Sequence, residues 1–221
     1  PLFFTTRGEN IYLRFTKKMN DPQQIVTMFE ENVAEYTGAK YAIACDNCTN
    51  ALKMCCEYLK VDTVTIPKRT YIAVPHAIIQ AGGNVKFEDL KWKGIYQLKP
   101  YPIYDAAKRF TSNMYKQGTL MCLSFGIKKS LKIGKGGMIL TDSKEAYDHL
   151  KRAKWLGRRE VVSYFEDEPD FLGHNSYMTP EWAARGMMLL NFYPQHMEDQ
   201  DEVPDYRDLT TFNIFKNTND R

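Results

Sequence analysis

The stretch from Cys122 to Leu140 carries residues of the type that covalent chemistry needs. It reads CLSFGIKKSLKIGKGGMIL: an apolar run, a lysine cluster, a glycine turn and a second apolar run. This order predicts two buried strands joined by a basic loop. A lysine that is partly desolvated at the end of a strand loses its charge more readily, and its free amine can attack a carbonyl and form a Schiff base. A solvated basic loop is the alternative, and it is the commoner role of a lysine pair.

Two other stretches place polar groups after predicted strands. The turn Asp46-Asn47-Cys48-Thr49 follows the strand-like run 41–45 and begins a helix, whose first N–H groups and dipole suit an anion such as phosphate. Asp105 follows the apolar segment 101–104, and a carboxylate there could face a cationic ring nitrogen. A simple helix cap and a surface charge are the plainer alternatives for these two features.

The elements that must position these residues alternate along the chain. Helical spacing of apolar residues predicts helices, and short apolar runs predict strands. Such alternation favours an α/β domain with a largely parallel sheet, in which ligands collect at the carboxyl ends of the strands. Thr49, Asp105, Ser124 and Lys129 fall at such ends, so we expect them to share one site. The predicted helices span 21–38, 48–59, 70–81, 144–156 and 178–190, and the predicted strands span 41–45, 61–67, 84–87, 101–104, 120–123 and 138–141.

Composition and charge exclude several classes of protein. The 221 residues, of which 43% are hydrophobic, suffice for one domain with at most a small appendage. The net charge of +3 is small and scattered, which argues against nucleic acid and membranes as partners. No apolar run approaches the roughly 20 residues that cross a bilayer, and the stretch after Pro1 has no signal-peptide pattern. We therefore expect a cytoplasmic protein.

The cysteines raise the question of a metal site. Four of the five lie within twelve residues, as Cys45-x-x-Cys48 and Cys55-Cys56, and Cys122 is the fifth. This grouping suggests zinc, but no paired ligands at zinc-site spacing follow elsewhere. We expect free thiols in a reducing compartment and no metal.

Six blocks of the sequence, between about Phe29 and Leu190, resemble one known family. They read FEENVAEYTGAKYAIA, DNCTNAL, VTIPKRTYIAVPHAIIQAGG, IYDAAKRF, LSFGIKKSLKIGKGGMILT and LGHNSYMTPEWAA. In content and order they are similar to the motifs of the DegT/DnrJ/EryC1/StrS sugar aminotransferases, which depend on pyridoxal phosphate (PLP) and have fold type I. The resemblance implies a three-layer α/β sandwich with a mostly parallel sheet.

The resemblance also implies an organisation and an activity. Residues 1–190 would form a shortened PLP-binding large domain, and residues 191–221 would be a reduced C-terminal segment in place of the family's small domain. The chain would be a PLP-dependent aminotransferase that moves an amino group, from glutamate, onto a keto-sugar linked to a nucleotide. It would be a homodimer with shared active sites.

The family's functional residues map onto this chain position by position. The family lysine lies five residues after the serine and five before the glycine turn, which selects Lys129 between Ser124 and Gly134. By resemblance Lys129 forms the covalent aldimine with PLP and moves protons, and Asp105 pairs with the ring nitrogen. The other cofactor-binding positions are Cys48, Thr49 and Ser124 for the phosphate, Tyr71 stacked on the ring, Lys108 beside the ring hydroxyl, and Asn175 reaching the phosphate from the partner subunit.

The chain departs from the family pattern in ways that keep two alternatives open. Lys108, Lys135 and Tyr177 replace a glutamine, a glutamate and an arginine of the family, and a strand and helix are missing between Phe87 and Asp105. One alternative is a homologue that binds PLP but is catalytically silent and acts as a partner or regulator. The other is a PLP enzyme of different chemistry, such as a sugar dehydratase, against which Lys129 argues. We expect His76 and His174 to be structural.

Overall fold

The computed structural model describes residues 5–6, 9–10, 21–160, 162–200 and 206–216. Its helices are α1 (Gln24–Thr37), α2 (Cys48–Tyr58), α3 (Ala73–Gln80), α4 (Lys144–Ala153) and α5 (Pro180–Asn191). Its strands are β1 (Thr5–Thr6), β2 (Glu9–Asn10), β3 (Tyr41–Cys45), β4 (Thr63–Pro67), β5 (Asn84–Glu88), β6 (Tyr96–Leu98), β7 (Ile103–Asp105), β8 (Leu120–Ser124) and β9 (Gly137–Thr141). None of the helices in these residues is long and apolar enough to cross a membrane.

A mixed sheet forms the middle of the molecule. Five strands pair in the order β3-β9-β8-β7-β6, and β4 and β5 form a parallel pair. The pair continues the sheet beside β6, because Thr65 and Lys99 exchange backbone hydrogen bonds of 2.8 and 3.1 Å. Strands β3, β8, β7, β4 and β5 run in one direction, and β9 and β6 run against them. The predicted α/β class is confirmed, with two strands that depart from parallel order.

Helices cover both faces of this sheet, as a three-layer sandwich requires. Side chains alternate along β3, so that Ile43 and Cys45 face one core and Ala42 and Ala44 face the other. Helices α2, α3 and α4 pack on the first face, and α1 and α5 pack on the second. Strands β3, β8 and β9 are buried on both faces, which explains their nearly continuous apolar sequence.

The predicted elements are found close to their expected ends. Helix α1 follows Asp21, whose carboxylate accepts a hydrogen bond of 2.9 Å from the Gln23 amide, and ends at Gly38 with φ +77°. Strand β3 has the predicted bounds, whereas α3 begins three residues after Thr70. Local capping and hydrophobic periodicity determine these elements, which is why the sequence predicts them.

Strand β6 is the strand of the five-stranded sheet that the sequence does not predict. It pairs antiparallel with β7 through a short hairpin, with Tyr96 opposite Asp105 and Leu98 opposite Ile103. A parallel strand here would need a crossover of a dozen or more residues, usually a helix, whereas an antiparallel neighbour needs only a turn. The chain between Glu88 and Ile103 is too short for a crossover helix as well as a strand. A reversed strand therefore fills the sheet.

Residues after α5 pack back onto the sheet and the loops beside it. Arg109 binds Asp199 through two hydrogen bonds of 2.7 and 2.6 Å. Residues 206–216, here called the C-terminal strap, form two short 3₁₀ helices, Leu209–Thr211 and Asn213–Phe215. The Leu209 amide donates to the Lys68 carbonyl at 2.9 Å, and Phe215 is 3% exposed. The strap is thereby fixed beside the loop that follows β4.

A buried group of charges joins α1 to α4. Glu30 is 3% exposed and accepts hydrogen bonds from Lys154 at 3.0 Å, from Lys151 at 2.9 Å and from the Ala44 amide at 2.8 Å. Glu160 bridges the same two lysines at 3.1 and 3.0 Å. Burial alone would lower the pKa of Lys151, and the carboxylates of Glu30 and Glu160 instead raise it. The charges therefore compensate one another.

Candidate active site

A cavity of about 240 Å³ opens at the carboxyl edge of the sheet. Residues from β7, β8, α2 and the loops beside them surround it, together with Tyr206 of the strap. Seven of the eight predicted site residues line this one cavity: Cys48, Thr49, Tyr71, Asp105, Lys108, Ser124 and Lys129. Their convergence agrees with the expectation that strand ends share a site.

The first turn of α2 forms one end of the cavity. The Asn47 side chain caps the helix by accepting a hydrogen bond of 2.8 Å from the Asn50 amide, which leaves Cys48 and Thr49 at the cavity wall. Strand β9 passes so close behind that a Cβ on Gly137 would lie 2.4 Å from the Asn47 carbonyl carbon and 2.5 Å from the Cys48 nitrogen. Only glycine fits there, and the helix start is held rigidly. Backbone amides at a helix N-terminus next to Ser124 are suited to a phosphate.

Asp105 lies within the cavity at the end of β7. It is 6% exposed, and its carboxylate accepts hydrogen bonds of 2.9 Å from the Tyr96 hydroxyl and 2.9 Å from the Ala107 amide. Burial raises the pKa of Asp105, while the two hydrogen bonds and the nearby Lys129 lower it in part. A buried carboxylate that is held in place by two hydrogen bonds stabilises a cation placed against it.

Lys129 is the one member of the lysine cluster that lines the cavity. Its amide donates to the Gly126 carbonyl at 3.0 Å, which closes a turn directly after β8. The neighbours Lys128, Lys132 and Lys135 are exposed, and the Lys135 ammonium lies 5.1 Å from the centre of the Trp182 ring. The turn therefore directs a single amine from this loop into the cavity.

Cys48 faces both Lys129 and Asp105 across the cavity. Burial raises the pKa of its thiol well above the ordinary value, and the charge of Asp105 raises it further. The thiol is therefore neutral at physiological pH. The groups that suit an anion at this end of the cavity are the backbone amides of α2. All five cysteines are free, in agreement with the predicted thiols. No cluster of metal-ligand residues occurs among the described residues.

Aromatic residues cover the opposite side of the cavity. The Lys108 side chain is buried, and its ammonium lies 5.2 Å from the centre of the Tyr206 ring and 6.0 Å from that of Trp92. The Tyr206 and Trp92 rings stack at 6.2 Å with an interplanar angle of 24°. Tyr71 lines the mouth and is 58% exposed. The cavity thus has aromatic side chains on one side and polar groups at both ends.

Asn175 is the predicted site residue that does not line the cavity. It is exposed, and its backbone pairs with Trp155. The two histidines also lie elsewhere: the His174 ring nitrogen Nε2 is 2.6 Å from the Glu57 carboxylate, and the His76 ring packs edge-on against Phe215 at 5.7 Å.

Sequence reasoning misses four polar or aromatic side chains of the site: Thr70, Trp92, Tyr96 and Tyr206. Thr70, Trp92 and Tyr206 line the cavity, and Tyr96 supports Asp105. Thr70 adjoins the predicted Tyr71, so the sequence could have identified it as a residue of the site. Trp92 and Tyr96 lie in the segment around the unpredicted strand β6, and Tyr206 lies in a polar tail with no periodicity. Their placement depends on pairing with distant parts of the chain.

The geometry fits a small phosphorylated aromatic cation that carries a carbonyl. The α2 amides suit the phosphate, Asp105 suits a protonated ring nitrogen, and Lys129 supplies an amine between them. Each of these three groups thus has at least one candidate partner within this one chain.

Comparison with known proteins agrees with this chemistry. The model of the DegT/DnrJ/EryC1/StrS aminotransferase family matches residues 16–117 and 103–208. GDP-perosamine synthase of Caulobacter vibrioides is 25% identical to this chain, over 81% of the chain and 60% of its own length. UDP-4-amino-4,6-dideoxy-N-acetyl-beta-L-altrosamine transaminase of Campylobacter jejuni is 23% identical, over 83% of the chain and 61% of its own length. The chain thus spans about 60% of the length of these curated relatives.

Solved structures share the fold. AtS13 from Actinomadura melliaura superposes with a TM-score of 0.68 at 17% identity, covering 76% of this chain and 59% of that one. A DegT DnrJ EryC1 StrS aminotransferase from Brucella abortus superposes with a TM-score of 0.67 at 21% identity, covering 83% of this chain and 62% of that one. The sheet and its helices therefore share the fold of these two proteins over the part that is covered.

Proposed function

Because the chain belongs to the DegT/DnrJ/EryC1/StrS aminotransferase family, we propose that it binds pyridoxal phosphate in the cavity and acts as an aminotransferase. The observation that carries this proposal is the convergence of Lys129, Asp105 and the α2 N-terminus on one cavity. When bound, pyridoxal phosphate supplies an electron sink for bond changes at the carbon that bears the amine. The chain's own residues bind it, orient it and move protons.

Each residue has a separate task in this proposal. The amides of Cys48 and Thr49, with the Ser124 hydroxyl, hold the phosphate, and Asp105 accepts a hydrogen bond from the ring nitrogen. Lys129 would hold the cofactor through its Nζ atom and would carry protons. Tyr71 would contribute an aromatic contact to the cofactor, and Lys108 would supply a second cation beside it. The aromatic cover excludes water from the reacting atoms.

Substrates, assembly and location are further parts of the proposal. The names of the relatives support a nucleotide-linked keto-sugar as the acceptor, and glutamate is proposed as the donor. We also propose a homodimer with shared sites. The exposed position of Asn175 supports its contact with the cofactor phosphate in the site of a second copy. Five free thiols support a reducing compartment such as the cytoplasm.

Absorbance of the purified protein tests this proposal. Adding pyridoxal phosphate should give a visible band of the protein-bound cofactor, and glutamate should bleach it. Lys129→Ala should abolish both changes, whereas its exposed neighbour Lys128→Ala is the matched control and should keep them. A Lys129→Ala protein with the band and turnover of the wild type would contradict the proposal.

A catalytically silent homologue is the second candidate. It is favoured by the buried Lys108 in place of the family glutamine, which adds a second amine to the cavity. In that case the absorbance band of the bound cofactor forms, and no amino donor bleaches it. Single-turnover mixing with glutamate therefore separates the two functions.

A further inference from the structure

A chain of three buried side chains leads from the back of the cavity to Asp105. The Thr70 hydroxyl lies 2.7 Å from the Tyr96 hydroxyl, which lies 2.9 Å from Oδ2 of Asp105. Their exposed fractions are 2%, 8% and 6% respectively. The second oxygen of Asp105 accepts from the Ala107 amide at 2.9 Å. Hydrogen bonds buried this completely from water hold their geometry firmly.

The reversed direction of β6 creates this arrangement. Tyr96 is the first residue of β6 and lies directly opposite Asp105, the last residue of β7. Directly opposed residues of an antiparallel pair point to the same face, about 5 Å apart at Cβ. A strand parallel to β7 would present its last residue at this edge instead. A slip of one residue would also turn Tyr96 away from Asp105.

Resting on the proposed function, we propose that Tyr96, supported by Thr70, is a positioning residue that keeps the Asp105 carboxylate ionised and aimed at the cofactor ring nitrogen. An ionised carboxylate only accepts hydrogen bonds. Tyr96 therefore donates to Asp105, and Thr70 donates to Tyr96. A hydrogen bond donated to a carboxylate stabilises its charged form, so the Tyr96 hydroxyl opposes the effect of burial on Asp105.

Other ionisable groups also face Asp105. Burial raises the pKa of Cys48, Cys122 and Tyr206, so these three groups are neutral at physiological pH. Lys129 lowers the pKa of Asp105, but in the proposed function its amine holds the cofactor. Tyr96 remains as a donor that cofactor binding does not remove.

Binding of two cofactor forms by Tyr96→Phe tests this role. The variant keeps the ring, whose centre lies 4.7 Å from that of Trp92, and removes only the hydroxyl. Pyridoxal phosphate should bind about ten-fold more weakly, which is the usual effect of losing one hydrogen bond to a charged group. The analogue with carbon in place of the ring nitrogen should bind the variant and the wild type equally. Thr70→Val should show the same selectivity with a smaller loss.

The pH dependence gives a second readout. Without the Tyr96 donor the Asp105 pKa rises, so the loss of pyridoxal phosphate binding on acidification should begin at a higher pH in Tyr96→Phe. Equal weakening of both cofactor forms, or unchanged binding of both, would overturn the role. If the wild type binds no pyridoxal phosphate, the proposed function fails and carbon-13 NMR of cofactor-free protein still tests Tyr96. An Asp105 pKa that is unchanged by Tyr96→Phe would then overturn the inference.

Discussion

At the scale of single residues, the site is built at the expense of stability. Asp105 is a carboxylate enclosed by protein, and burial is the largest influence on its pKa, which it raises. A raised pKa means that the folded chain binds this proton more tightly than the unfolded chain does. Stability therefore falls as the pH rises from the unfolded pKa through the folded one. A cationic ligand beside Asp105 would stabilise the ionised carboxylate and so restore the stability that its burial costs.

We expect Asp105→Asn to stabilise the cofactor-free protein while weakening the proposed cofactor binding. The amide oxygen can still accept from the Ala107 amide, and the Tyr96 hydroxyl can accept from the amide nitrogen. Urea unfolding at several pH values should show the advantage over wild type growing as the pH rises through the window between the two pKa values, then levelling. A variant that is less stable than wild type at every pH would contradict this account.

At the scale of elements, two contacts fix the layers around the site. The buried charges of Glu30, Lys151 and Lys154 join α1 to α4 across the edge strand β3. Glu160 completes the group, and its pKa is lowered by Lys154 and Lys151 in spite of burial. Its contribution to stability is present above the unfolded pKa and is lost as the pH falls through the folded one.

We expect Glu30→Gln to lower the free energy of unfolding by at most about 3 to 5 kcal/mol, because it leaves the buried Lys151 and Lys154 to share the single carboxylate of Glu160. Asp148→Asn is the matched control, since Asp148 pairs with Lys144 on the exposed side of α4. That variant should unfold at nearly the wild-type urea concentration. Similar midpoints for both variants would show that the buried group contributes no more than a surface pair.

The C-terminal strap is the second such contact. Phe215 anchors it, with its ring 5.6 Å from Phe87 and 5.7 Å from His76, and Tyr206 at its other end covers the cavity. We expect Phe215→Ala to release the strap, since truncating a buried phenylalanine typically costs about 3 to 5 kcal/mol. Limited proteolysis within 206–216 should accelerate, and retention of pyridoxal phosphate should decrease.

The neighbouring Ile214 provides the control for that experiment. It is 60% exposed, so Ile214→Ala changes the same 3₁₀ helix without removing a buried anchor. Its proteolysis and cofactor retention should match the wild type. If both variants behave alike, the strap does not depend on Phe215, and its position over the cavity has another cause.

At the scale of the whole molecule, the proposed shared site predicts complementation. Lys129→Ala and Asn175→Ala proteins should each lose transamination when tested alone. After mixing and subunit exchange, half of the dimers would be mixed, and each would contain one site with both residues intact. About a quarter of the wild-type activity should return. A mixture as inactive as its components would place Asn175 outside the partner's site.

Much of this molecule is predictable from its sequence, for physical reasons that also explain the exceptions. Helix α1 and strands β3, β8 and β9 follow from local periodicity, capping and apolar runs. The three residues of β6 are too few to show a period. Their strand exists because it pairs with β7 and because Thr65, distant in the chain, binds Lys99 at its end. The contact of Tyr206 with the cavity likewise depends on the anchoring of Leu209 by Lys68, far away in the chain.

The hairpin between β6 and β7 has a practical consequence for handling the protein. Because β6 runs against its neighbours, the turn at Lys99 and Pro100 lies at the opposite edge of the sheet from the cavity, and both residues are exposed. Tyr96 is the first residue of β6 and the turn follows the last, so roughly 10 Å separates them. A dye, a tether or an affinity peptide attached there would label or immobilise the chain while the mouth of the cavity stays open to solution.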